Sequence, residues 1–214
     1  MGKIEKELPY KLFVEGTDDC HVISSLCSCH EVKENFNVVP CRGIEKTMGR
    51  FKLALTNPSV YQRVGIVVDA DMDAEKRWVQ LVDILKGSGK YDCSNLKLTS
   101  GGLIIHPIDS YDTIIGIWMM PDNCLQGMLE DFVLSLIPAG DSLIQKAESV
   151  LSELEAEGMQ QYKAVHRSKA KVHTYLAWQD EPGKPMGQAI TAHVLNPDAE
   201  QAKIFVEWLN KLYN

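Results

Sequence analysis

The amino-acid sequence predicts an α/β protein with a mostly parallel central sheet flanked by helices. Over residues 10–86, short apolar runs alternate three times with amphipathic segments, an order typical of parallel strands joined by right-handed helical crossovers. The third run, residues 64–68, is apolar and rich in β-branched side chains, as expected for a strand buried on both faces. From about residue 141 onward only helical periodicity remains, which predicts a helical C-terminal extension.

Three strand–helix units account for the first part of the chain. We expect strands at residues 10–14, 35–40 and 64–68, each followed by a helix. Thr17 or Asp18 can cap the first helix, and Asp73 can cap the third. The second helix is expected to end at Asn57-Pro58, because the residue before a proline disfavours helical backbone.

The rest of the chain predicts a hairpin followed by helices. Residues 102–108 and 113–119 are strand-like and bracket the turn-forming residues 109–112, so a hairpin is expected at one edge of the sheet. Helices are expected at residues 127–136, 142–157, 169–178 and 198–212. We predict an α/β domain over residues 1–137 and a helical extension over residues 138–214, packed together as one compact unit.

Composition narrows the class of protein. The 214 residues are 45% hydrophobic and 24% charged, with a formal net charge of -7, which is ordinary for a globular protein with a substantial core. This acidic balance argues against nucleic-acid binding through general electrostatics, but not against an enzyme that acts on nucleic acid through a metal ion. No apolar run approaches membrane-spanning length and the N-terminus lacks a signal-peptide pattern, so we expect a cytoplasmic protein without membrane association.

Cysteine and histidine spacing gives no zinc pattern. Cys27-Ser28-Cys29-His30 has one residue between its cysteines, which is too few for a zinc finger, so the six cysteines are interpreted as reduced thiols. Four histidines without metal-ligand spacing are interpreted as structural: His106, His166, His173 and His193.

Acidic residues follow two of the predicted parallel strands. Glu15 comes directly after the first strand, and Asp69, Asp71 and Asp73 follow the third. Asp19 lies about one helical turn beyond Glu15 and can face the same point. Because ligands bind at the carboxyl ends of strands in open α/β sheets, and because closely spaced carboxylates repel one another, this arrangement predicts a site for Mg²⁺ or Mn²⁺.

A strand that ends in Glu15-Gly16, followed by a strand that ends in Asp69-Ala70-Asp71, resembles the toprim domain. That domain is shared by topoisomerases, bacterial primases, a maturation ribonuclease and the OLD (overcoming lysogenization defect) nucleases. The extended motifs, Glu15 to Asp19 and Asp69 to Asp73, are most similar to the OLD-type branch. Residues 117–123 and 127–132 also resemble small stand-alone toprim-like proteins of unknown function. The resemblance covers about residues 8–137 and implies a toprim-like Rossmann-type sheet.

The resemblance also implies roles for individual residues. Six acids are implied as metal ligands: Glu15, Asp19, Asp69, Asp71, Asp73 and Glu130. Glu15 would serve as metal ligand or general acid/base, Glu130 would help to form a second metal site, and Asp73 can instead cap a helix. The implied chemistry is in-line attack on a phosphodiester. OLD-type enzymes carry a later catalytic lysine, for which Lys169 and Lys171 are the candidates.

Two functions remain open at this point. The first is Mg²⁺-dependent, nuclease-like hydrolysis of nucleic acid, with Arg42 and Lys46 as candidate contacts to the phosphate backbone. The second is a non-catalytic toprim-like module that acts through a protein partner, which would supply an ATPase or DNA-binding surface. A receiver-like phosphoacceptor is a weaker alternative, because the Glu-Gly turn fits toprim better. The apolar stripes of the last two long helices would face the core or a second copy of the chain.

Overall fold

The computed structural model describes residue 8, residues 10–56 and residues 61–214. Five strands lie in this part of the chain: β1 (Tyr10–Val14), β2 (Phe36–Pro40), β3 (Arg63–Asp69), β4 (Leu103–Ile105) and β5 (Ile114–Met120). Its α-helices are α1 (Thr17–Cys29), α2 (Ile44–Thr56), α3 (Ala74–Ser88), α4 (Leu129–Ser135), α5 (Ser142–Ala156), α6 (Arg167–Ala177), α7 (Met186–Thr191) and α8 (Glu200–Tyr213). The predicted helix end at Asn57-Pro58 lies outside the described residues.

The strands form a single five-stranded sheet in the order β2-β1-β3-β5-β4. Strands β2, β1, β3 and β5 are parallel to one another, and β4 pairs antiparallel with β5. This confirms the predicted mostly parallel α/β fold and the hairpin at its edge. Since β2 lies on one side of β1 and β3 on the other, the strand order reverses between β1 and β3, and a crevice opens there at the carboxyl ends of the strands.

Apolar side chains cover both faces of the sheet. Helices α2 and α3 pack on one face, and α1, α4, α6, α7 and α8 contribute to the core on the other. The predicted two-sided burial of the third strand is confirmed, since Val64, Ile66 and Val67 are all fully buried. The apolar stripe of α8, including Phe205 and Leu209, belongs to the core. The domain boundary at residue 137 stays a prediction.

Helix boundaries test the predicted caps. The Asp73 carboxylate accepts a hydrogen bond of 2.9 Å from the Lys76 amide at the start of α3, as predicted. The predicted cap of α1 at Thr17 or Asp18 is wrong, because α1 has Gly16 as its N-cap residue. There the Asp19 carboxylate accepts the Gly16 N–H at 2.9 Å, so an acid inside the first turn satisfies the end of the helix.

Helix α7 was not predicted. Its six residues are too short to show helical periodicity in the sequence. It packs closely on α1, where a Cβ at Gly187 would lie 2.7 Å from the His21 carbonyl oxygen. Among the helices of the described residues, none is long and apolar enough to cross a membrane.

Gly65 and Gly116 are register partners in β3 and β5, and they let α8 lie directly on the sheet. A Cβ at Gly65 would lie 2.5 Å from Leu12 Cδ1 and 2.7 Å from Tyr213 Oη, both in the buried core. We therefore expect Gly65→Ala to lower the free energy of unfolding by about 1–3 kcal/mol, as measured by urea denaturation.

The matched control for this prediction is Gly49→Ala. Gly49 is exposed within α2, and a Cβ there would meet nothing within 4 Å. We expect this change to raise the free energy of unfolding by about 0.5–1 kcal/mol. Equal effects of the two substitutions would contradict the close contact between α8 and the sheet.

Candidate functional site

A cleft of about 420 Å³ opens at the carboxyl ends of β1 and β3, where the strand order reverses. Five of the six predicted acids line it: Glu15, Asp19, Asp69, Asp71 and Glu130. They come from the end of β1, the first turn of α1, the end of β3 and the start of α4. The topology thus brings together carboxylates that are up to 115 positions apart in the chain.

Backbone amides hold three of these carboxylates in place. The Asp69 N–H donates to Glu15 Oε1 at 2.9 Å, and the Leu129 N–H donates to Asp69 Oδ1 at the same distance. The Gly16 N–H holds Asp19 Oδ2 in the same way. Each acid is therefore anchored through one oxygen, and for Glu15 and Asp69 the second oxygen accepts no hydrogen bond from any described residue.

Burial and mutual repulsion make these acids hard to ionise. Burial, reinforced by the charges of Asp19, Glu15 and Glu130, raises the pKa of Asp69 to about 9. Burial is also the main cause that raises the pKa of Asp19 to about 7. It raises the pKa of Glu15 too, although the hydrogen bond from the Asp69 amide offsets part of that rise. A cation bound among these carboxylates would therefore stabilise their ionised form.

Glu130 faces a lysine across the cleft. Its side chain is 5% exposed, and Oε1 lies 2.9 Å from Nζ of Lys169, which is 47% exposed. Hydrogen bonding to Glu130 raises the pKa of the Lys169 ammonium, so the charge is firmly held. Next to this pair, the Ser168 hydroxyl donates to the Asp131 carboxylate and joins α6 to α4.

The two candidate lysines differ in position. Lys169 lines the cleft, whereas Lys171 is not among the lining residues and forms an ion pair with Glu148 at 2.8 Å. Arg42 also lines the cleft, and Lys46, in the first turn of α2, does not. Their predicted roles stay predictions, and only Lys169 and Arg42 have the placement that those roles require.

Asp71 and Asp73 lie at the margin of the acidic cluster. Asp71 has a left-handed backbone (φ 54°), and its half-exposed carboxylate forms a 2.6 Å ion pair with Nη2 of Arg77. Asp73 does not line the cleft and caps α3 instead. Sequence reasoning did not single out Arg77, although its place one turn after the Asp73 cap was a usable signal.

His166 was interpreted as structural but lines the cleft beside Lys169. It ends the 3-10 turn Ala164–His166 and directly precedes α6. The signal that could have found it is its position three residues before Lys169, one of the two candidate lysines.

The donor chemistry fits a divalent cation of the Mg²⁺ type. Carboxylate oxygens are the ligands that Mg²⁺ prefers, and Mg²⁺ usually binds one or two carboxylates and keeps several waters. In the described part of the chain, no three His, Cys, Asp or Glu side chains are grouped so that they could hold a metal ion as placed. The anchored residues Glu15 and Asp69 offer two carboxylates, the number that Mg²⁺ usually takes from a protein.

Fold and cleft together define an α/β protein with a carboxylate-lined cleft at the switch point of a mostly parallel sheet. The chain belongs to the family described as Protein of unknown function (DUF3226), whose model matches residues 9–214. No curated protein matches the chain.

Solved structures similar to this chain include C-terminal regions of OLD proteins. A structure from Xanthomonas campestris pv. campestris has a TM-score of 0.49 at 13% identity, covering 95% of this chain and 93% of that one. A structure from Burkholderia pseudomallei has a TM-score of 0.47 at 12% identity, covering 98% of this chain and all of that one.

The raised pKa values predict a pH-dependent stability in the absence of metal. Asp69 and Asp19 bind their protons more tightly in the folded protein than in the unfolded chain, so folding stability falls as the pH rises from 3.8, the ordinary aspartate value, to about 9. In EDTA we expect a lower melting temperature near pH 9 than near pH 6.

The Asp69→Asn variant removes the largest of these shifts and is expected to flatten the pH profile. Asp83→Asn, which changes an exposed acid on α3, serves as the control and should leave the profile unchanged. A wild-type melting temperature that is constant across this interval would contradict the buried acidic cluster.

Proposed function

We propose that this protein is a toprim-like, metal-dependent phosphodiesterase that acts on nucleic acid. One observation carries the proposal: Glu15 Oε1 accepts the Asp69 N–H at 2.9 Å, which joins the Glu-Gly motif and the Asp-x-Asp motif at the switch point of the sheet. The sequence resemblance and the geometry thus point to the same residues. Asp19 and Glu130 extend this pair into a buried acidic cluster.

Mg²⁺ or Mn²⁺ would bind at Glu15 and Asp69, with Asp19, Glu130 and Asp71 as further oxygen donors. The ion would neutralise charge on the phosphate and lower the pKa of a bound water. The protein's part is to fix the donors, and the backbone amides of Gly16, Asp69 and Leu129 do so before any ion binds.

Glu15 and Lys169 have distinct roles in this proposal. Glu15 Oε2, which accepts no hydrogen bond from any described residue, can take the proton of the attacking water. Lys169 Nζ, half exposed at the cleft, can stabilise negative charge on the phosphate oxygens. Glu130 holds this lysine in place until the phosphate arrives.

Nucleic acid would be bound weakly outside the reacting phosphate. The net charge of -7 supplies no general attraction for a polyanion. Arg42, exposed at the rim of the cleft, is placed to contact one neighbouring phosphate. We therefore propose that substrate is held mainly at the cleft.

The test is cleavage of end-labelled single-stranded and double-stranded DNA and RNA with Mg²⁺, Mn²⁺ or EDTA. We expect metal-dependent cleavage that falls about 10²–10³-fold in Lys169→Ala, the range for loss of one transition-state charge partner. The double variant Asp69→Ala, Asp71→Ala should be inactive.

Two matched controls separate the site from its surroundings. Lys171→Ala removes a lysine from the same helix that pairs outside the cleft, and Asp73→Ala removes an acid that caps α3. Both should keep activity, and Asp73→Ala should lower the free energy of unfolding by about 1 kcal/mol. Cleavage by the wild type no greater than that of the double variant contradicts the proposal.

A second candidate is a non-catalytic module that acts through a protein partner. It is favoured by two exposed apolar side chains beside the site, Met72 and Leu125, which are 65% and 63% exposed. They flank the β-bridge between Asp71 and Gly127. Capture of a partner by the wild type, lost in Met72→Ser, Leu125→Ser and unaffected by Asp69→Asn, would favour this second function.

A further inference from the structure

The guanidinium of Arg77 is bonded through all three of its nitrogens. Nε donates to the Asp69 backbone oxygen at 3.0 Å, Nη2 to Asp71 Oδ2 at 2.6 Å, and Nη1 to Gln80 Oε1 at 3.0 Å. The side chain is only 12% exposed. Arg77 is therefore a fixed cation next to the acidic strand end, held even without its bond to Asp71.

The backbone of Asp71 is fixed by hydrogen bonds, and its carboxylate lies between the acidic cleft and a neighbouring cavity. Its N–H and carbonyl both pair with Gly127 at 2.8 Å, so the main chain is locked in its left-handed conformation. The carboxylate is 47% exposed. Asp71 lines both the acidic cleft and a neighbouring cavity of about 250 Å³ that contains Arg77 and Gln80.

The Asp71 carboxylate is thus within reach of both the acidic cleft and the cavity that contains Arg77. In the structure it binds Arg77, and the described residues hold no group of three acids close enough to enclose a metal ion. A rotation of this side chain toward the cleft would bring its carboxylate to those of Glu15, Asp19 and Asp69. Because the Asp71 side chain is 47% exposed, water can replace the arginine at its carboxylate, and Arg77 keeps its bonds to the Asp69 carbonyl and Gln80, so we expect the cost of breaking the ion pair to be modest.

We propose that Arg77 is a positioning residue that competes with the divalent cation for Asp71. It keeps the Asp71 carboxylate outside the acidic cluster until an ion binds, and it stays in place through its bond to the Asp69 carbonyl when Asp71 leaves. This inference rests on the metal site of the proposed function. It adds that competition from Arg77 makes the site bind the cation less tightly than the same acids would bind it without the arginine.

The test is Mn²⁺ binding to the protein without nucleic acid, by isothermal titration calorimetry and by the electron paramagnetic resonance signal of free Mn²⁺. Arg77→Gln removes the charge but keeps a donor for the Asp69 carbonyl. We expect it to bind Mn²⁺ about 3- to 5-fold more tightly than the wild type, the upper part of the range for loss of one competing ion pair. Arg77→Lys keeps a competing cation without the three guanidinium bonds and should therefore bind Mn²⁺ less tightly than Arg77→Gln.

Lys76→Met is the matched control for the loss of one positive charge near Asp71. Lys76 lines the same neighbouring cavity as Arg77 and forms no ion pair with Asp71. We expect Lys76→Met to leave the Mn²⁺ affinity unchanged. A melting curve for each variant, taken in EDTA, verifies that it is folded.

The results of these measurements separate a failure of the proposed role of Arg77 from a failure of the proposed metal-dependent function. Unchanged or weaker Mn²⁺ binding in Arg77→Gln overturns the inference alone, and so does equal tightening in Lys76→Met, because removal of any nearby positive charge would then suffice. A wild type that binds no Mn²⁺ overturns the proposed function and this inference together.

Discussion

The hydrogen bond from the Asp69 amide to the Glu15 carboxylate is the contact on which the site depends. It requires β1 and β3 to end side by side, which the parallel register from Tyr10↔Arg63 to Phe13↔Ile66 provides. Asp69 in turn accepts the amide of Leu129, the first residue of α4. Two successive bonds thus connect three chain segments at one point, and a shift of any of them would separate the acids.

Burying several carboxylates together opposes folding, so the acidic cluster requires a stable core elsewhere in the protein. The sheet provides it, with apolar cores on both faces. Unusual backbone conformations lie next to the acids, at Asp71 (φ 54°) and Gly127 (φ 143°). Glycine adopts such a conformation without strain, whereas a left-handed aspartate is held by the surrounding structure, and residues of this kind concentrate at functional sites.

The sequence could predict what local pattern determines. The β-branched run of β3, the alternation of elements and the acids at two strand ends all follow from periodicity and motif spacing. The cap of α1 at Gly16 was missed because the capping side chain is Asp19, inside the first turn, and not a residue at the N-cap position. Helix α7 could not be predicted, because it is short and depends on its contact with the distant helix α1. Nor could the sequence separate Lys169 from Lys171: they lie two positions apart on α6, and only the packing of α6 against α4 and α5 decides which one faces the cleft.

The close approach of α8 to the sheet has a consequence for the order in which the protein forms. Tyr213 stacks on Phe36 with ring centroids 4.1 Å apart, and its hydroxyl donates to the Lys11 carbonyl at 2.8 Å. Residues at the start of the sheet are thus covered by residues about 200 positions later in the sequence. Because contacts between such distant positions carry a loop-closure cost in entropy, we expect β1, and with it the acidic cleft at its end, to become ordered late in folding, which pulsed hydrogen exchange would show as late protection of β1.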